Sequence, residues 1–177
     1  SGFIPQISVI MGPSAGGAVY SPAITDFIFM VRDSSYMFVT GPDVVKTVTH
    51  ETVTAEELGG ATTHTKKSGV ADLAFDDDIT VLEQTRRLLD FLPLSNKEKP
   101  PYRITKDPIN RKSVNLDTLI PDNANNPYDM KELITTIVDE DDFFELQPDY
   151  AQNIIIGFAT IAGYSVGIIA NQPMVLA

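Results

Sequence analysis

Short apolar runs rich in β-branched and aromatic residues alternate with helix-like segments through the first half of the chain, a pattern typical of an α/β fold. These runs predict four strands, at residues 4–11, 27–31, 36–40 and 70–75. The chain reaches the first of these runs almost at once, without a basic segment or a cleavage site of the secretory type before it. We therefore expect the sequence to be an internal piece of a longer protein.

Three helices are predicted between these strands. Pro42 suits the first position of one helix, and Thr54 with Glu57 forms a capping-box sequence that starts another, closed by glycines at 59–60. The carboxylates of residues 76–78 predict the start of a third helix, which runs to about Leu92. The core-facing side chains of this third helix are predicted to be Ile79, Leu82, Leu88, Leu89 and Leu92.

The periodicity is lost between residues 93 and 127, where six prolines and several asparagines occur. We interpret this segment as an interdomain linker, which leaves domains at 1–92 and 128–177. An amphipathic helix is predicted to follow at 130–138. The uncharged stretch 154–170 is almost long enough to span a membrane, but its glycines and the central Ala162-Gly163 predict a hairpin of two buried strands instead.

The turn after the first strand is the most informative local feature. Gly16 and Gly17 are adjacent and precede residues 18–20, which can form a first helical turn. The N–H groups at a helix start lack partners within the helix and favour negative charge. Since glycine has no Cβ, a ligand can approach those N–H groups closely. The turn could thus bind an oxyanion, or its glycines could merely permit tight packing, and the spacing alone leaves both interpretations open.

Composition limits the classes of molecule that this chain is expected to bind. The 177 residues carry a net charge of -11, with 43% hydrophobic and 21% charged residues, which indicates a globular chain. This charge argues against nucleic acid or an anionic membrane as a partner. The absence of cysteine excludes disulfides, thiolate chemistry and cysteine-type zinc sites.

Other chemistry-bearing patterns are weaker. Residues 12–16 form a G-x-S-x-G sequence that would make Ser14 a hydrolase nucleophile. In hydrolases with this motif, several strands and helices separate the serine from its histidine, and His50 and His64 are too close to Ser14 in sequence for that. His64 among threonines is more typical of a hydrogen-bonded structural residue. The acidic residues 139–142 are interpreted as a solvated turn, because four consecutive acids cannot all face one metal ion. Six basic residues within the linker could bind phosphates, although a solvated linker is the simpler interpretation.

Three stretches carry a likeness more specific than any of these motifs. They are GPSAGGAVYSPA from Gly12, TGPDVVKTVTHETVTAEELGGATTHTKKSGVAD from Thr40, and GFATIAGYSVGIIANQP from Gly157. Together they resemble the carboxyltransferase (β) subunits of biotin-dependent acyl-CoA carboxylases, over essentially the whole chain. The resemblance implies the crotonase (ClpP-like) fold, a ββα superhelix, with residues 1–92 ending a first domain and 128–177 starting a second.

The resemblance also implies a reaction. Such subunits move CO2 from carboxybiotin to the α-carbon of a short acyl-CoA, with propionyl-CoA favoured here. The thioester enolate that attacks the CO2 would have its oxygen held by the N–H groups of Gly16 and Gly17. Ser14 would then be a small packed residue, and biotin itself would take the α-proton. By the same likeness, Gly41, Pro42, Asn171 and Gln172 are predicted to contact the cofactor, and no metal is implied.

The implied setting is an assembly. Biotin would arrive on a separate carrier domain or subunit with its biotin carboxylase, coenzyme A would enter as the acyl thioester, and the subunits would form a dimer-based oligomer, a hexamer. The biotin-side oxyanion residues are expected outside this chain, which alone should be inactive. The compartment would be the bacterial cytoplasm or the mitochondrial matrix. Alternatives are a biotin-dependent acyl-CoA decarboxylase or transcarboxylase subunit, a serine hydrolase using Ser14, and a non-catalytic segment with the same core.

Overall fold

The computed structural model describes residues 2–123 and 125–175, and its contacts divide the chain into two compact units, Ser1–Leu89 and Asp90–Ala177. The first unit contains five strands and five α-helices among its described residues. These are β1 Ile7–Ile10, β2 Pro13–Ala15, α1 Tyr20–Ala23, β3 Phe27–Val31, β4 Tyr36–Phe38, α2 Pro42–Thr49, α3 Ala55–Gly59, α4 Ala61–Thr63, β5 Leu73–Phe75 and α5 Asp78–Leu89. A 3-10 helix, Gly16–Val19, precedes α1, and a π-helix, His64–Ser68, follows α4.

Strand β3 is the centre of the first unit. It pairs in parallel with β1 on one side and β5 on the other, and its residues from Ile28 to Val31 are buried. A strand enclosed on both faces is expected to be an uninterrupted apolar run, as FIFMV is. Strands β2 and β4 form a separate parallel pair. The predicted strands are therefore present, but three are shorter than expected. Pairing covers only Ile7–Ile10 of the first strand, ends at Phe38 in β4 and begins only at Leu73 in β5.

The predicted core face of helix α5 is confirmed at Leu88 and wrong at three other positions. The helix ends at Leu89, and its buried side chains are Val81 and Leu88. By contrast, Ile79, Leu82 and Leu89 are 72%, 48% and 45% exposed. The helix packs against the parallel sheet through a narrower face than the sequence predicts. The expected cap is confirmed, because the Asp77 carboxylate accepts the Thr80 N–H at 2.8 Å.

The capping box and the helix end that the sequence predicts are both confirmed. Thr54 Oγ1 accepts the Glu57 N–H, and the Glu57 carboxylate accepts the Thr54 N–H. Helix α3 ends at Gly59, with Gly60 as its C-cap residue. The sequence did not predict that helical structure resumes at once, in α4 and in the π-helix, which ends at Ser68 before Gly69 with φ 67°. Gly60 is extended rather than left-handed, so the chain bends there between two helices.

The second unit is an antiparallel sheet with one covering helix. Its elements are α6 Leu116–Leu119, α7 Met130–Ile137, a 3-10 turn at Asp139–Asp141, β6 Phe143–Leu146, β7 Ile154–Ile161 and β8 Tyr164–Asn171. The strands lie in the order β6-β7-β8. The core forms where Ile134 and Val138 of the helical segment pack against Ile155 and Ala159 of β7. In the described part of the chain, no helix is long and apolar enough to cross a membrane.

The hairpin predicted at 154–170 is confirmed, but the expected burial of both strands is wrong for β8, none of whose residues is buried. The hairpin also explains the acidic turn. Strands β7 and β8 pair antiparallel around Ala162 and Gly163, whose φ angles are 51° and 81°. The carboxylate of Asp139 accepts both turn amides, at 3.0 Å and 2.7 Å. Asp139 is only 7% exposed, so the expectation that residues 139–142 form a solvated turn is wrong for this residue. Its charge is offset by two N–H donors.

Two arginines of the predicted linker serve structural roles in the second unit. The Arg103 guanidinium lies over the Phe91 ring, 5.6 Å from its centroid. Arg111 pairs with Asp107 at 2.8 Å and donates to the carbonyl oxygens of Thr136 and Val138. The Arg111 guanidinium thus holds this segment to the end of α7, and the Arg103 guanidinium packs on an aromatic ring. The assignment of 1–92, 93–127 and 128–177 to a domain end, a linker and a domain start stays a prediction.

Candidate oxyanion site and adjoining cleft

The glycine turn is formed where β2 ends. Ser14 lies opposite Met37 and Ala15 opposite Phe38 in the parallel β2–β4 pair, and the 3-10 helix begins at Gly16 directly afterwards. Ala15, the N-cap residue, offers no side-chain acceptor to the N–H groups that follow. The first N–H groups of a helix lack partners within it, so those of Gly16 and Gly17 are suited to a ligand. The local arrangement is the one the sequence predicts.

The two glycines differ in what a side chain would do. Gly16 has φ +64°, a left-handed conformation that strains other residues. A Cβ built on Gly16 would lie 3.9 Å from the Val39 carbonyl oxygen. A Cβ built on Gly17 would meet no heavy atom within 4 Å apart from its own chain neighbours. Gly17 therefore borders open space, and the protein itself gives no packing reason for glycine there.

An apolar cleft of about 410 Å³ adjoins this turn within the first unit. Its wall is formed mainly by aliphatic and aromatic side chains. The lining residues are Val19, Tyr20, Ala23, Met37, Phe38, Val39, Thr40, Leu58, His64 and Val70. Val19 closes the 3-10 helix that starts at Gly16, so the cleft and the turn share one element. A small apolar group with one oxyanion could occupy the two together, since ligand sites combine apolar walls with few polar groups.

The structure brings Gly41 and Pro42 to the same side of the first unit. They are the N-cap and first residue of α2, directly after Val39 and Thr40 of the cleft wall. A Cβ on Gly41 would make ordinary contact with the Phe38 ring at 3.6 Å, so packing alone does not demand glycine here. The role of Gly41 and Pro42 in cofactor binding stays a prediction.

Ser14 has no activating base among its described partners. Its Oγ donates to the Ala18 carbonyl oxygen at 3.4 Å. His64 uses Nε2 on the Met37 carbonyl oxygen at 2.6 Å and Nδ1 on Ser68 Oγ at 2.8 Å. A hydrolase nucleophile needs a histidine within hydrogen-bond reach. The prediction that His64 is a hydrogen-bonded structural residue is confirmed. His64 is therefore not available as the base that Ser14 would need in a serine hydrolase.

Asn171 and Gln172 lie in the second unit, where β8 ends. Asn171 is exposed. Gln172 is 7% exposed; its Nε2 donates to Asp129 at 2.7 Å, and its Oε1 accepts the Met130 N–H at 3.2 Å. The Gln172 amide thus fastens the chain after β8 to the start of α7. Contact of Asn171 and Gln172 with a cofactor stays a prediction, and for the Gln172 side chain these partners argue against it.

The hydrogen bond between Gln172 and Asp129 predicts that the second unit loses stability in acid. The Gln172 amide, followed by the N–H and charge of Lys131, lowers the pKa of the Asp129 carboxyl below its ordinary value, against a smaller opposing effect of burial. A lowered pKa in the folded state gives stability that is complete above the unfolded-state pKa and is lost as pH falls through the folded-state pKa. Asp129→Asn should therefore flatten the loss of stability below about pH 4.

Urea unfolding at a series of acidic pH values measures this effect. Asp122→Asn is the control, since Asp122 is an exposed aspartate in the irregular segment before α7. An equally steep loss of stability with acid in Asp129→Asn would show that the Asp129 carboxylate is not its cause.

The cleft itself was missed from the sequence. Its lining comes from several separate segments, between Val19 and Val70, and each segment taken alone has the apolar pattern of ordinary core. The wide turn of the π-helix that brings in His64 also has no sequence signature. Among the described residues, no group of three or more histidine, aspartate or glutamate side chains could hold a metal ion.

Comparison with known proteins supports the sequence resemblance. A family model for the carboxyl transferase domain matches residues 1–177. The chain is 70% identical to the propionyl-CoA carboxylase beta chain of Cereibacter sphaeroides, over 100% of this chain and 35% of that protein. It is 57% identical to the methylmalonyl-CoA decarboxylase subunit alpha of Veillonella parvula, with the same coverage of 100% and 35%. The chain thus spans about a third of the length of these curated relatives.

A solved structure also matches almost the whole chain. The transcarboxylase 12S crystal structure, with hydrolysed methylmalonyl-coenzyme A bound, superposes with a TM-score of 0.94 at 43% identity. The match covers 99% of this chain and 34% of that one. The prediction of an α/β crotonase fold from the sequence is confirmed by this agreement.

Proposed function

This chain belongs to the carboxyl transferase domain family, and we propose that it forms part of an enzyme that moves a carboxyl group onto the α-carbon of a short acyl-CoA. The observation that carries the proposal is the Gly16–Gly17 helix start beside the apolar cleft. The relatives are named for propionyl-CoA and methylmalonyl-CoA, which differ by the transferred carboxyl group. We therefore favour propionyl-CoA as the acceptor.

The turn would act on the thioester oxygen. Loss of the α-proton turns the thioester into an enolate, and the electron pair then forms the new C–C bond to the carboxyl carbon. While it lasts, the enolate places negative charge on its oxygen. The N–H groups of Gly16 and Gly17 would donate to that oxygen, and such preorganised donors stabilise developing charge strongly in a site shielded from water.

The apolar cleft would receive the acyl group. Its walls near the turn, formed by Val19 and Met37, offer dispersion contacts to a short alkyl chain and no charge. The side chains of Ser14 and His64 are engaged with the protein, so we assign neither the role of base. Carboxybiotin, when bound, supplies both the carboxyl group and the nitrogen that accepts the α-proton.

The wider assembly is part of the proposal. The transcarboxylase 12S protein is described as a hexamer that binds substrate. We propose a homo-oligomer of the same kind, served by a biotin carrier and a biotin carboxylase, in a bacterial cytoplasm or a mitochondrial matrix. The described residues fit the acyl-CoA side of the reaction. We assign none of them to the biotin side, since the Gln172 amide already has protein partners.

A second direction of transfer is supported by one relative. The 57% identity to a methylmalonyl-CoA decarboxylase subunit is as consistent with removal of the carboxyl group as with its addition. The same oxyanion site would serve both directions, because the enolate lies between the two acyl-CoA species.

The test uses the full-length subunit assembled with its biotin carrier. Labelled carboxyl groups on the carrier are expected to appear in methylmalonyl-CoA when propionyl-CoA is added, and the reverse assay measures decarboxylation. Ser14→Ala should keep most of this activity, because Ser14 makes only a long hydrogen bond to Ala18. Absence of transfer in both directions, together with ester hydrolysis that Ser14→Ala abolishes, would contradict the proposal in favour of a hydrolase.

A further inference from the structure

The imidazole of His64 is held in one orientation by two protein partners. Nε2 lies 2.6 Å from the Met37 carbonyl oxygen, and Nδ1 lies 2.8 Å from Ser68 Oγ. Because a carbonyl oxygen can only accept, the Nε2 atom must carry a proton and donate it to Met37. The Ser68 hydroxyl fixes the other side of the ring. This arrangement depends on the π-helix, whose first and last residues are His64 and Ser68.

The Met37 peptide is enclosed from a second side. A Cβ built on Gly59 would collide with the Met37 carbonyl oxygen, so the Gly59 backbone packs directly on that peptide. Met37 is 2% exposed and is the central residue of β4. We call His64 and Gly59 together the Met37 clamp. The clamp fixes both the position and the orientation of this carbonyl group.

Strand β4 in turn sets the position of the glycine turn. Met37 lies opposite Ser14 in the β2–β4 pair, and the next residue pair is Ala15 with Phe38. Gly16 follows at once, and its Cβ position is 3.9 Å from the Val39 carbonyl oxygen, on the residue after β4. The Gly16–Gly17 turn therefore rests on the strand that His64 holds.

We propose that His64 is a positioning residue, which acts through the Met37 carbonyl group and β4 to hold the N–H groups of Gly16 and Gly17 where the enolate oxygen forms. The proposal rests on the proposed function for its catalytic consequence, and on the hydrogen bond to Met37 for its structural one. Preorganised donors act only within a narrow range of positions. A shift of β4 should therefore weaken transition-state stabilisation more than substrate binding.

Two variants of the full-length enzyme test this role. His64→Leu keeps bulk but has no N–H, and it is expected to lower kcat by roughly 10- to 100-fold while KM for the acyl-CoA changes little. His64→Gln retains an N–H donor and should recover most of the loss. A raised KM with unchanged kcat would overturn the inference, since it would mean that His64 contacts the acyl group in the cleft.

The matched control is Thr65→Val, in the same π-helix. Thr65 is buried and donates to the Ala61 carbonyl oxygen at 2.9 Å, so loss of its hydroxyl weakens the helical segment but leaves the hydrogen bond from His64 to Met37 in place. Thr65→Val should leave kcat close to that of the unchanged enzyme. If it lowers kcat as much as His64→Leu, the effect of His64 is helix stability alone and the positioning role is wrong.

Hydrogen exchange separates this inference from the proposed function. The amides of β2 and β4 are expected to exchange faster in His64→Leu than in Thr65→Val, whatever reaction the enzyme catalyses. Equal exchange in the two variants would refute the clamp even in an active enzyme. An unchanged enzyme that transfers no carboxyl group, yet shows faster exchange in His64→Leu, would refute the proposed function and leave the clamp standing.

Discussion

Gly17→Ala is expected to lower kcat for carboxyl transfer by about 10- to 1000-fold, up to the loss seen when one oxyanion donor is removed. The reason lies in where the new methyl group goes. A Cβ on Gly17 meets no heavy atom of the protein within 4 Å, so the fold accepts it. The same methyl group would occupy the open space in front of the N–H groups, where the enolate oxygen has to approach. The measurement is steady-state transfer to propionyl-CoA by the assembled enzyme.

Two neighbouring glycines make this test specific. Gly12→Ala is the control, because Gly12 also has open space at its Cβ position and lies outside the proposed donor pair. It should leave kcat unchanged. Gly16→Ala has a different defect, since φ +64° costs an L-residue roughly 1–2 kcal/mol. Gly16→Ala should therefore lower thermal stability as well as kcat, whereas Gly17→Ala should keep the melting temperature.

Equal kcat values for the Gly17→Ala and Gly12→Ala enzymes would show that the Gly16–Gly17 turn takes no part in the reaction. The glycines would then have only the packing role that the sequence left open. A lower melting temperature for Gly17→Ala would also contradict the proposal. It would mean that the new methyl group clashes with the protein itself and not with a bound ligand.

Local chemistry explains which features could be predicted from the sequence. The glycine turn, the capping box and the hairpin at 162–163 depend on neighbouring residues, and each is found where the pattern predicts it. The family resemblance rests on long stretches around the same features. Local signals of this kind act over a few residues, so they survive whatever the chain packs against.

Tertiary packing decides the features that could not be predicted. The core face of α5 is the stripe of Val81 and Leu88, because the parallel sheet admits a narrow row of side chains. Hydrophobicity alone identified Leu88, missed Val81 and added the exposed Ile79, Leu82 and Leu89. The Asp139 carboxylate is another case, because its partners are the Ala162 and Gly163 amides, more than 20 positions away. Neither core packing nor a hydrogen bond between residues far apart in sequence can be predicted from the local pattern.

Phe91 gives the second large prediction. The sequence placed this residue near the end of the helix now seen to stop at Leu89, within the first domain. In the structure its ring is 2% exposed and packs in the second unit, 6.0 Å from the Phe144 ring and 6.1 Å from the Phe158 ring between centroids. The Arg103 guanidinium covers its face. Phe91 therefore anchors the chain segment that enters the second unit to strands β6 and β7.

Phe91→Ala is expected to destabilise the second unit by about 3–5 kcal/mol, the usual loss for a buried phenylalanine that leaves a cavity. Native-state hydrogen exchange measures the loss strand by strand, and the amides of β6 and β7 should lose the most protection. Leu94→Ala is the matched control, because Leu94 is exposed and close in sequence. Phe91→Leu should recover part of the loss, since it refills part of the cavity. Full protection of β6 and β7 in Phe91→Ala would show that the aromatic cluster does not hold this unit together, and that its stability resides in the contact of α7 with β7.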